Sequence, residues 1–136
     1  MSPCPKTSRP RRRKPSPTIE GLTKGPTEDD VHFAVVARLR LGGARFFHPP
    51  NEGRHKVQHR VTLNRRGVSP GVPDLILMPA VLGGPCVALE LKKPGERPTK
   101  EQKQWLADMA AAGWVTGWAD SVEEALAFLR SAGYRV

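Results

Sequence analysis

A chain of 136 residues with 38% hydrophobic content supports one compact domain and is too short for two. No apolar run approaches the roughly 18 residues that cross a bilayer, and the Arg- and Pro-rich start lacks a signal peptide's apolar stretch, so no membrane partner and a cytoplasmic location are expected. A formal charge of +9 points to a polyanionic partner, because clustered Lys and Arg gain affinity for phosphates by releasing condensed counterions.

Residues 1–26 hold Lys6, Arg9, Arg11, Arg12, Arg13, Lys14 and Lys24 against Glu20 alone, with six prolines, and have almost nothing to bury. They read as a disordered basic arm, a nonspecific tether for nucleic acid rather than a nuclear address. Residues 27–136 read as the folded domain. Thr27 is a good N-cap, and Glu28, Asp29 and Asp30 suit the positive end of a helix dipole, so a largely apolar helix is expected up to Gly42-Gly43. A short strand over Ala44 to Phe47 follows, and the polar, basic stretch from Pro49 to Gly71 reads as a long surface loop. Asp74 to Met78 and Cys86 to Leu91 then read as the two strands of a hairpin. Thr99-x-x-Gln102 is a capping box opening a second helix that ends near Gly113; Trp114 to Trp118 is a fourth strand, and Ser121 caps a last helix that stops at Gly133. The expected order is helix, three strands, helix, strand, helix: an α/β fold with a mixed central sheet flanked by helices.

Cys4 and Cys86 sit in unrelated settings and offer neither a disulfide nor a zinc spacing, so oxygen ligands are expected to hold any metal. Two acidic residues fall where a strand usually carries apolar ones. Pro79 and Pro85 lie symmetrically about Leu82, and if they bound the hairpin loop, Asp74 faces Glu90. Directly opposed residues have β-carbons about 4.5 to 5.5 Å apart, and two carboxylates that close repel unless a cation lies between them. Mg²⁺ suits such a pair, with Mn²⁺ as a substitute, because it takes one or two carboxylates and fills its other positions with water and phosphate oxygens. Strand alternation puts Glu90 and Lys92 on one face and Leu91 on the other.

Gly71-Val72-Pro73-Asp74-Leu75, Glu90-Leu91-Lys92 and Thr99-x-x-Gln102-x-x-Trp105 together resemble the VRR-NUC domain, a branch of the PD-(D/E)xK nuclease superfamily, over roughly Thr27 to Leu129. The resemblance implies a restriction-endonuclease-like core and a metal-dependent phosphodiesterase on DNA. It assigns Asp74 and Glu90 as metal ligands, the Leu91 carbonyl as a further ligand and Lys92 as the catalytic lysine. Stand-alone members of this size resemble phage and prophage proteins, which would place this chain in a bacterial host cell, and the group includes dimers acting on branched DNA. It also points to an acidic residue on the first helix, Glu28 or its competitor Asp29, and to Gln102; both have capping explanations.

His48-Pro49-Pro50-Asn51-Glu52 resembles the family segment that ends in Asn, with Glu52 where Gly often follows. Arg54, Lys56, Arg60, Arg65 and Arg66 read as contacts to the DNA backbone. His55 and His59 lack a third zinc ligand, His32 reads as a helix-surface residue, and Trp105, Trp114 and Trp118 read as core or dimer packing rather than base stacking. The expected function is a divalent-metal-dependent DNA endonuclease, selective for branched structure and working as a homodimer. The alternatives are a noncatalytic DNA-binding accessory protein, or an exonuclease or RNA-directed nuclease on the same fold.

Overall fold

The first helix, α1 (Glu28–Leu41), starts where Thr27 and Asp30 satisfy each other's backbone. The Asp30 N–H donates to Thr27 Oγ1 at 3.1 Å, and the Thr27 N–H donates to Asp30 Oδ2 at 2.8 Å. Val31, Val35 and Leu39, spaced four apart, form its buried stripe. The computed structural model describes residues 25–50 and 57–136.

The remaining elements are β1 (Phe46–Phe47), α2 (Val57–Arg65), β2 (Leu75–Leu77), β3 (Val87–Leu91), α3 (Lys100–Ala111), β4 (Val115–Ala119) and α4 (Val122–Ser131). The sheet order is β1-β2-β3-β4, antiparallel for the first two pairings and parallel for the last, so the sheet is mixed as expected. The α2 helix corrects the long-loop expectation for the stretch before Gly71. Val57–Arg65 contains no Gly or Pro to interrupt helical hydrogen bonds, and it closes on Gly67, whose φ of 88° only glycine adopts readily. None of its residues is buried, so the sequence carries no apolar stripe to announce it.

Strand alternation divides the sheet into two faces. Leu75, Leu77, Val87, Leu89, Leu91 and Ala119 form the core with Val31, Val35 and Leu39 of α1 and Ala125 and Leu129 of α4. Gly117 is paired with Leu89, and a β-carbon there would lie 2.6 Å from the Phe128 ring, so glycine lets α4 approach closely. The other face takes α3, where Thr116 Oγ1 donates to the Leu106 carbonyl at 3.1 Å. Asp74, Glu90 and Lys92 alternate toward this second face. The C-terminal segment closes the core through Tyr134, whose hydroxyl donates to the Met78 carbonyl. Among the described residues no helix is long and apolar enough to cross a membrane.

Candidate active site

The loop that delivers Asp74 is clamped against α3. Gly71 has φ 81°, and a β-carbon there would lie 2.9 Å from the Glu101 backbone, so only glycine meets both the conformation and the close approach. One residue earlier, the Pro70 carbonyl accepts from Trp105 Nε1 at 3.0 Å. Trp105 is 37% exposed, so it is not a core residue of this chain, and its indole N–H instead tethers the loop. The start of α3 is fixed by the expected capping box: the Gln102 N–H donates to Thr99 Oγ1 at 3.3 Å, and Gln102 Oε1 accepts from the Thr99 N–H at 2.8 Å. The two sequence motifs are therefore one mechanical unit, the helix holding the loop that carries the acid.

β2 pairs with β3 with Leu75 opposite Leu89 and Leu77 opposite Val87, a register centred on Leu82 as the proline symmetry predicts. Continuing it by one residue sets Asp74 against Glu90. The Asp74 N–H donates to Glu90 Oε2 at 3.2 Å, and the Leu91 N–H donates to Asp74 Oδ2 at 2.8 Å. Lys92 Nζ lies 2.8 Å from Glu90 Oε1 and 3.8 Å from Glu28 Oε2. Asp74, Glu90 and Lys92 are all buried, at 7%, 0% and 8% exposure. Glu28 is half-buried and Asp29 exposed, so of the two competitors it is Glu28 that reaches this cluster.

Burying two carboxylates side by side favours the protonated form of one of them. Burial first, and the Asp74 charge second, push Glu90 up to about 7, with Lys92 pulling the other way. Burial alone would lower the Lys92 ammonium, but its contacts with Glu90, Glu28 and Asp74 outweigh that and hold it above the usual lysine value. Lys92 is thus a fixed cation at neutral pH. The carboxylate pair is a buried oxygen-donor set whose two acids face a single ammonium close by, a surplus of negative charge that fits a hard divalent cation.

A family model described as the VRR-NUC domain matches residues 36–136. The chain belongs to the VRR-NUC family. This is a nuclease family, so the activity class of this VRR-NUC chain is nuclease-type DNA processing. The matched region begins inside α1, which leaves Glu28 outside it. A solved structure of a VRR_NUC domain protein superposes with a TM-score of 0.60 at 23% identity, covering 81% of this chain and 90% of that one, and shares the fold. A search of curated protein sequences finds no match.

Other expected positions divide by place. Arg60, Arg65 and Arg66 are exposed, on α2 and just beyond it, while Arg54, Lys56, Asn51, Glu52 and His55 lie outside the described residues. Gln102 is half-buried with its side-chain oxygen turned to its own helix start. Two histidines were missed. His32 is half-buried rather than on the helix surface, its ring meets that of His48 edge to face at 4.7 Å, and His48 Nδ1 contacts the Asp74 carbonyl oxygen at 2.5 Å. The only signal in the sequence was His48 preceding Pro49-Pro50; His32 carried none, because its partner is 16 residues away and meets it only after folding.

Proposed function

We propose that this VRR-NUC chain is a divalent-metal-dependent DNA endonuclease, in which Asp74, Glu90 and the Leu91 carbonyl hold Mg²⁺ or Mn²⁺ and Lys92 is the catalytic lysine. The buried Asp74-Glu90 pair beside the Lys92 ammonium carries this reading, because a single ammonium does not neutralise two buried carboxylates and a further cation would. A bound cation supplies Lewis-acid neutralisation of phosphate charge and a more acidic attacking water. Asp74 is held by the Leu91 N–H and by the clamped loop, so the donors need little rearrangement on binding. Lys92, fixed as an ammonium, donates hydrogen bonds that orient the attacking water and stabilise charge on the phosphate; Glu28 and Glu90 hold it in place. Exposed Arg60, Arg65 and Arg66 contact the backbone without reading bases, which favours recognition of branched shape over sequence. A homodimer would set two such sites against two strands. The setting would be the cytoplasm of a bacterial host, in phage, recombination or repair DNA processing.

The test is a cleavage panel of linear, flap, fork and four-way-junction DNA, with matched RNA and end-labelled substrates, run with and without Mg²⁺ or Mn²⁺ on protein of measured oligomeric state. Internal cuts in branched DNA that require metal and are lost in Asp74→Ala, with binding retained, are the expected result. Cleavage by Asp74→Ala at the wild-type rate sinks the site. Binding without cutting on every substrate favours the accessory role.

A further inference from the structure

Beside the carboxylate pair, two elements distant in sequence bring imidazoles to the same aspartate. His32 comes from the early turns of α1 and His48 directly follows β1, and their ring planes stand at 89° with centroids 4.7 Å apart. One nitrogen from each histidine and one carboxylate oxygen of Asp74 all lie within 4.8 Å of one another. His48 Nδ1 lies 2.5 Å from the Asp74 carbonyl oxygen. Metal-binding histidines ordinarily give one ring N–H to a backbone carbonyl or carboxylate in this way, which fixes the orientation of the ring. Asp74 can serve two neighbours at once: Oδ2 accepts the Leu91 N–H, and an ionised carboxylate has about four lone-pair positions.

We propose that His32, His48 and Asp74 form a transition-metal site for Co²⁺ or Zn²⁺, adjoining the Asp74-Glu90 pair and sharing Asp74 with it. This departs from the expectation that only oxygen ligands would hold a metal. The site stands on the histidine geometry and shares only Asp74 with the nuclease reading. Imidazole nitrogen discriminates against Mg²⁺, whereas the Asp74-Glu90 pair offers oxygen alone, so the two donor sets select different ions. The histidines come from α1 and from the end of β1, so an ion here would also tie those two elements to the start of β2.

The test uses the full chain, titrated with Co²⁺ in excess Mg²⁺ and read by the visible absorption of nitrogen-bound Co²⁺. The variants are His32→Gln, His48→Gln, and the double variant His55→Ala with His59→Ala, which removes the chain's other two histidines. Wild type and the double variant should bind Co²⁺ alike, and each glutamine variant should weaken binding by at least about tenfold, the scale on which altered metal surroundings act. Zn²⁺ should raise the thermal midpoint of wild type but not of the glutamine variants, whose circular dichroism reports that they are folded. Unchanged Co²⁺ binding in both glutamine variants overturns the site, as does its loss in the double variant. Glu90→Gln separates the two readings. Wild-type cleavage by that variant overturns the nuclease assignment of Glu90 and leaves the Co²⁺ signal standing, whereas normal Co²⁺ binding in the glutamine variants leaves the nuclease reading intact.

Discussion

The β2-β3 hairpin and the α2 helix both carry charged residues, and they carry them in opposite ways. Every residue of β3 is buried, and its Glu90 and the following Lys92 are held by named partners at fixed distances. No residue of α2 is buried, and its Arg60 and Arg65, with Arg66 beyond, face solvent. A buried charge is costly without a partner, so its geometry is determined; an exposed one is cheap, screened and interchangeable. The hairpin therefore suits chemistry, which needs positioned groups, and α2 suits attraction of a polyanion, which needs only charge.

Substituting Lys92 tests the hairpin side of this contrast most severely. Lys92→Met keeps the aliphatic stem and removes the charge, and should lower metal-supported cleavage by roughly 10²–10³-fold, the usual cost of losing one transition-state stabiliser, with DNA affinity little changed. Single-turnover cleavage and a binding isotherm on the same substrate separate the two; an equal loss in both would erase the contrast.

A smaller effect should appear in stability against pH, measured by urea unfolding with a chelator present. Glu90 stands at about 7 in the folded chain against an ordinary value of 4.5, so the folded state retains a proton that the unfolded state releases. The associated stability is fully present below about pH 4.5 and is lost as the pH rises through about 7, with a ceiling on the order of 3 kcal/mol. Glu90→Gln should flatten that slope and be the more stable protein at pH 8. A wild-type-to-variant difference that stays constant from pH 5 to 8 would remove burial as the cause.

The α2 side should respond most gently. Replacing Arg60, Arg65 and Arg66 by Ala should weaken DNA binding evenly across sequences, lowering the slope of log affinity against log salt by about 0.9 for each phosphate contact removed. Cleavage at saturating DNA should be unaffected. A loss confined to one base sequence would show base reading where the contrast predicts none.

The hairpin was legible before folding because its determinants are local. Two prolines about Leu82 set the register, alternation separated Leu91 from Glu90 and Lys92, and the caps at Thr27, Thr99 and Ser121 mark the observed helix starts. The α2 helix was not legible: with no buried face it has no apolar period, and the absence of breakers is a weaker signal than their presence. Trp105 was read from the apolar pattern of its helix as packing, whereas its N–H pins a loop 35 residues away.

By itself, then, the sequence determined the α/β class, the pairing of β2 with β3 and the facing carboxylates, since these follow from period, turn and cap within short spans. Only the tertiary structure chose Glu28 over Asp29, joined the Gly71 loop to α3, and set His32 and His48 beside Asp74. Each of those contacts joins residues far apart along the chain, and their meeting depends on how whole elements pack rather than on any local preference of the residues that touch.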